Sequence, residues 1–131
     1  MIDHLELQTR KIPDSVAFYR DVLGPLGYAL KMDGPVKGFG VNGGLDLFLV
    51  DGEPSANVHF AFAAESRAAV NAAFAAGEVN GHALDRTPAL APHIHADYYA
   101  GYLRDPDGRL VEIVCQKPEK LRARLRRRSS R

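Results

Sequence analysis

Asn57 to Ala63 reads NVHFAFA, and the reading of this short run decides the fold. In an extended segment successive side chains alternate, so Val58, Phe60 and Phe62 share one side and His59, Ala61 and Ala63 the other. The run is a strand with one apolar face and one face of small or polar residues. Downstream, Ser66 is placed as a helix N-cap, Val70, Ala73 and Phe74 form a stripe at helical spacing, and Gly77 is expected to end the helix. Strands are expected at Val79 to Arg86, Tyr98 to Arg104 and Arg109 to Cys115. The tight turn Asp105-Pro106-Asp107-Gly108 joins the last two.

Upstream, the same outline has already run once. Ile2 to Gln8 alternates, with Leu5 and Leu7 on one side and Ile2, His4, Glu6 and Gln8 on the other. Pro13, Asp14 and Ser15 supply helix-start chemistry, with Asp14 or Ser15 as N-cap, and Val16, Tyr19, Val22 and Leu23 share a helical face. Gly24 is expected to close that helix in a left-handed cap. Strands at Tyr28 to Met32, Gly38 to Val41 and Leu45 to Val50 are separated by the turn signals Gly34-Pro35 and Gly43-Gly44. Asp51 to Ala56 is a linker. The order is βαβββ, linker, βαβββ, over about residues 1–50 and 57–116. The expected class is α+β: two βαβββ modules forming curled mixed sheets around one cleft, with the helices outside.

Composition agrees with one domain. The chain has 131 residues, 46% of them hydrophobic and 25% charged, an ordinary globular balance. The net charge of +1 is unevenly spread: residues 1–116 carry 9 Lys and Arg against 15 Asp and Glu, residues 117–131 carry 8 against 1. The domain over 1–117 is therefore acidic and the tail over 118–131 basic. A tail of this kind is expected to be solvated rather than a nucleic-acid anchor. The single cysteine, Cys115, excludes an internal disulfide and reads as a small buried hydrophobe. With no apolar run near membrane-span length and no secretory leader in view, a cytoplasmic setting is expected.

Three side chains carry potential chemistry. His4 and His59 stand at matching points of the repeat, each on the less apolar side of its opening strand. Glu112 lies in the apolar run LVEIVC, where a carboxylate must be paired or coordinate a cation; Arg86 and Arg104 are candidate partners. Two imidazoles and a carboxylate make a common set for Fe, Mn, Ni or Zn that leaves positions open for substrate.

The pieces IDHLEL, SVAFYRDVLGPLGY, NVHFAF and YLRDPDGRLVEIV, in this order, resemble the vicinal oxygen chelate superfamily: glyoxalase, bleomycin-resistance protein and extradiol dioxygenase. The resemblance spans residues 1 to about 117 and implies one divalent metal ion held by His4, His59 and Glu112. Glyoxalase I adds a glutamate on the strand that closes the first module; the matching position here is Phe48, which cannot bind metal. Fosfomycin-modifying enzymes have a substrate-contacting tyrosine that matches Tyr102, but their threonine near the first histidine is Glu6 here, and their phosphonate-binding cations have no counterpart. The segment PHIHADYYAGY, Pro92 to Tyr102, resembles that of small glyoxalase-like proteins.

The resemblance implies a metal-dependent enzyme of lyase, isomerase, dioxygenase or thiol-transferase type, which chelates neighbouring oxygens of a small substrate. Tyr102 and His95 are expected to orient substrate or move protons, while Phe48, His93 and Tyr98 would contact it. A homodimer is expected, with the site built either within one chain or across two. The other reading is a metal-free small-molecule binding protein of the bleomycin-resistance type.

Overall fold

The computed structural model describes residues 1–119; most of the basic tail expected over 118–131 lies outside the described residues. The first module contains β1 (Leu5–Thr9), α1 (Ile12–Leu23), a short 3-10 turn (Gly24–Leu26), β2 (Ala29–Asp33), β3 (Lys37–Gly40) and β4 (Leu47–Asp51). The second contains β5 (His59–Ala63), α2 (Arg67–Val79), β6 (Ala83–Leu90), β7 (Tyr99–Arg104) and β8 (Leu110–Cys115). The class is α+β, with two four-stranded mixed sheets in the orders β1-β4-β3-β2 and β5-β8-β7-β6. In each, the opening strand runs parallel to the closing one, β1 with β4 and β5 with β8, and the remaining pairs are antiparallel.

The helices start and stop for reasons the sequence shows only in part. Ser66 caps α2 as expected, its hydroxyl accepting from the Ala69 N–H at 3.1 Å. Helix α1, in contrast, begins at Ile12 with no side-chain cap. Pro13 falls in its first turn, where a missing N–H costs nothing. Ser15 is buried inside the helix, within 3.3 Å of the Thr9 hydroxyl, which also accepts the Lys11 N–H at 2.9 Å. Gly24 is right-handed (φ −52°) and starts the 3-10 turn, so the left-handed stop falls at Gly27 (φ 95°). Gly77 lies within α2 rather than at its end. A Cβ there would come within 2.4 Å of Leu103 Cδ2, so the missing side chain lets α2 settle on β7. The helix runs on to Val79, and β6 begins four residues later than the Val79 start expected.

One core joins the modules. Phe18, Val22, Phe39, Leu47 and Leu49 from the first meet Val70, Phe74, Leu103, Val111 and Ile113 from the second, all buried. Helix α1 packs on its own sheet and against α2, while α2 covers β6, β7 and β8. Cys115 is buried, as expected of a small hydrophobe.

A polar knot locks the same junction. Arg109 is 1% exposed. Its guanidinium donates to Asp105 Oδ2 at 3.0 Å, to the Ser55 carbonyl at 3.0 Å and to the Gln8 carbonyl. Asp105 also accepts the Tyr19 hydroxyl at 2.6 Å and the backbone N–H groups of Asp107 and Arg109. One buried cation thus ties the end of β1, the linker and the β7–β8 turn, and its carboxylate partner holds α1. Burial, reinforced by the Asp105 charge and hydrogen bond, pushes the Tyr19 hydroxyl well above its usual pKa.

Candidate metal and substrate site on the second sheet

Register places the candidate residues. Ala61, Glu112 and Tyr102 are direct partners across β5, β8 and β7, and Arg86 of β6 is the next partner outward. Partners in a sheet share a face, so these four form one row on the side away from α2. His59 shares that face, two residues before Ala61. Phe60 and Phe62 point the other way and pack against the core.

Glu112 is 3% exposed, yet both its oxygens are engaged. Oε1 is 2.9 Å from His59 Nε2, and Oε2 accepts the Tyr98 hydroxyl at 2.5 Å. Neither Arg86 nor Arg104 is its partner. Arg104 instead donates to Asp85 at 3.0 Å, and the Arg86 guanidinium lies 3.9 Å over the Tyr102 ring. The hydrogen bond to Glu112, with burial and its charge, pushes the Tyr98 hydroxyl up to about 12. Burial, followed by the Glu112 charge, raises Tyr102 as well. Both phenols are therefore proton donors near neutrality, not bases. The His59 side chain is 51% exposed, so the donors open to solvent on one side.

The segment before β7 folds over this row. His95 Nε2 is 2.9 Å from Gln116 Oε1, and its Nδ1 accepts the Asp97 N–H at 3.2 Å. The His95 ring stands edge-on to Tyr98 with centroids 5.5 Å apart, so it braces that tyrosine against Glu112. His93 lines a small pocket of about 160 Å³ with Arg86, Ala89, Ala100 and Tyr102. The sequence offered Arg86 as a partner for Glu112; the structure instead sets it over Tyr102. Its distance along the chain from Tyr102 concealed that the two are register partners.

His4 and Phe48 are elsewhere. His4 precedes β1, with Nδ1 2.7 Å from Asp3 Oδ1, and its ring meets Phe48 edge-on at 5.4 Å. Phe48 is the β4 partner of Glu6, which puts it on the first sheet. Among the described residues of one chain, no three His, Cys, Asp or Glu side chains are grouped so that they could hold a metal ion. Two of the expected ligands meet on the second sheet, and the third stands beside Phe48 at the first.

The sequence profile of the Glyoxalase/Bleomycin resistance protein/Dioxygenase superfamily matches residues 1–113. The chain belongs to that superfamily. Among solved structures, a glyoxalase/bleomycin resistance protein from Albidiferax ferrireducens T118 is similar at 25% identity and TM-score 0.74, covering 86% of this chain and 96% of that one. A lactoylglutathione lyase from Agrobacterium tumefaciens is similar at 26% identity and TM-score 0.64, covering 88% and 92%. A glyoxalase from Bacillus halodurans, described as putative, matches at 25% and 0.65, covering 88% and 95%. No functionally curated protein matches the chain. Among the described residues no helix is long and apolar enough to cross a membrane.

Proposed function

We propose that the protein is a divalent-metal-dependent glyoxalase-superfamily enzyme acting on a small oxygen-rich substrate. Its ion would be held by His59 and Glu112 of one protomer and His4 of the partner subunit in a homodimer. The observation that carries this reading is the buried Glu112 carboxylate, set against a half-exposed imidazole on an open sheet face. The donor set suits the ion: nitrogen from His59, charged oxygen from Glu112, and Nε2 of His4, whose Nδ1 is already engaged by Asp3. Because His4 is not grouped with the other two in one chain, the set is completed by a second copy, with the open faces of the two sheets forming the cleft.

The bound ion would be Fe, Mn, Ni or Zn and supplies Lewis-acid stabilisation of negative charge on substrate oxygen. The chain's own residues do the remainder. Tyr98 and Tyr102, protonated near neutrality, donate hydrogen bonds to developing oxyanions. His95 fixes Tyr98, and His93, on the wall beside Arg86, contacts substrate. Phe48 closes the pocket next to His4, and because it offers no donor where a fourth glutamate would stand, lactoylglutathione lyase chemistry is not the activity proposed.

The test is metal uptake of the untagged chain, followed by Mn²⁺ titration calorimetry and mass spectrometry. Wild type should bind one ion per protomer, and His59→Ala, Glu112→Gln and His4→Ala should each lose it. Mixing His4→Ala with Glu112→Gln protomers should restore one site per heterodimer, a result that a site within one chain cannot give. A wild-type protein that takes up no divalent ion would turn the assignment to a metal-free small-molecule binding protein.

A further inference from the structure

The pocket of about 160 Å³ beside Tyr102 carries donors that the chain leaves unused. Register builds it. Arg86 and Ala89 of β6 pair with Tyr102 and Ala100 of β7. Gly101, between the last two, faces Phe74 of α2, so Ala100 and Tyr102 lie on the open side of the sheet. The Arg86 guanidinium stands 3.9 Å over the Tyr102 ring, a contact that holds a cation through the ring quadrupole rather than through its N–H groups. Its one ion-pair partner among the described residues is Asp85, whose Oδ1 is 3.4 Å from Arg86 Nε. The other Asp85 oxygen accepts from Arg104 at 3.0 Å. Among the described residues Nη1 and Nη2 of Arg86 donate to no acceptor, and the side chain is 62% exposed, so a ligand can reach them.

A guanidinium stays charged and presents a rigid fork of donors that matches the two oxygens of a carboxylate. His93 adds to it, since it lines the same pocket and makes no hydrogen bond among the described residues. No aspartate, glutamate or lysine of the described residues lines the pocket. One guanidinium and one imidazole balance a single negative charge better than two, which favours a carboxylate over a phosphate. The rest of the wall, with Ala89, Ile94 and Ala100, is apolar and suits a short hydrocarbon. The pocket also has a fixed place relative to the candidate metal donors. Tyr102 is the register partner of Arg86 on one side and of Glu112 on the other, which sets those two backbone positions about 10 Å apart. The His59 and Tyr102 rings are 6.2 Å apart. An anion at Arg86 is therefore a few atoms along a small molecule from an oxygen held at His59 and Glu112.

We propose that the substrate carries a carboxylate that accepts paired hydrogen bonds from Arg86, while its oxygen-rich end sits at His59 and Glu112. The placement of that end rests on the metal-dependent function proposed for the chain. The carboxylate subsite stands on Arg86 and needs no ion, so it is tested on the full chain in excess chelator, with butyrate as the probe and butyramide as its neutral counterpart. Butyrate should shift the Arg86 Nε–H resonance and the amides of Ala89, Ala100 and Tyr102 saturably, and butyramide should bind at least about tenfold more weakly. Arg86→Gln should bring butyrate down to the affinity of butyramide. Arg86→Lys, which keeps the charge without the fork, should restore only part of the difference. In the Mn²⁺-loaded protein, 2-oxoglutarate should bind about tenfold more tightly than 2-oxopentanoate, and Arg86→Gln should erase that preference while Mn²⁺ uptake stays at the wild-type level. Equal affinities for butyrate and butyramide, shifts confined to other residues, or tighter binding of methylphosphonate than of butyrate would overturn the proposal. A chain that takes up no Mn²⁺ yet binds butyrate at Arg86 keeps the subsite and loses the metal, so the two failures are read separately.

Discussion

Replacing Asp105 by alanine should be the most damaging polar substitution in the chain. The side chains of Asp105 and Arg109 are 0% and 2% exposed and 3.0 Å apart. Without the carboxylate the guanidinium keeps, among the described residues, only the Ser55 and Gln8 carbonyls and the edge of Asp107 at 3.5 Å. Breaking a buried ion pair by removing one partner costs about 3–5 kcal/mol, because the other charge is left uncompensated. The same change strands the Tyr19 hydroxyl in the core, so the upper half of that range applies. For a domain of this length each kcal/mol lowers Tm by about 3–5 °C, which puts the expected fall at about 12–25 °C. Urea denaturation followed by circular dichroism would measure the free energy, with Tyr19→Phe and the double variant closing a thermodynamic cycle. If Asp105→Ala stays within about 1 kcal/mol of wild type, the claim that this knot holds the modules together is wrong.

Three further outcomes follow from the packing and the titrating groups. Gly77→Ala gains helix propensity but drives its Cβ to 2.4 Å from Leu103 Cδ2; overpacking of about 1–3 kcal/mol should prevail, and Leu103→Ala should relieve part of it in the double variant. Ser66→Ala removes the hydroxyl that accepts the Ala69 N–H and should lower the urea midpoint by the equivalent of about 1 kcal/mol. Stability should also fall as pH rises past about 10. Tyr19 and Tyr28 have raised pKa values in the folded state, Tyr28 up to about 12. Above 10 the unfolded chain releases protons that the native chain retains, so equilibrium moves toward unfolding. Urea midpoints on either side of that pH should show the slope, and Tyr19→Phe should flatten it.

The two-module outline was legible because it rests on local chemistry. Alternation in NVHFAFA, the cap at Ser66 and the turn at Asp105 to Gly108 each follow from a few adjacent residues. The start of β6 was not legible. Val79 continues the apolar run, yet the helix holds it, closing only where the Asn80 amide donates to the Ala76 carbonyl at 2.7 Å and Gly81 turns left-handed (φ 77°). Pro88 argues against a strand, but β6 is an edge strand with register breaks, where a missing N–H is tolerated. At the site, Glu112 read correctly as a carboxylate in need of partners, and His59 is one of them. Tyr98 as the other, and Arg86 stacked on Tyr102, depend on register between distant strands. The Arg109 clamp reaches a carbonyl 101 residues away in the chain, and no local pattern announces such a bond. A repeated outline likewise places a histidine at the start of each module without saying whether the two meet in one protomer.

The pairing of each opening strand with its module's closing strand governs how the protein can be made. Leu5 waits for Leu47 and His59 for Leu110, so neither opening strand finds its neighbour until almost its whole module exists. A chain stopped shortly after Arg104 would carry β5 with a bare edge, two phenylalanines and no Arg109 to fasten the linker. Such a fragment is a template for cross-chain pairing. Synthesis of the last strand is then the event that commits the second module, and dependence on such distant contacts predicts a slow folding phase for so small a domain.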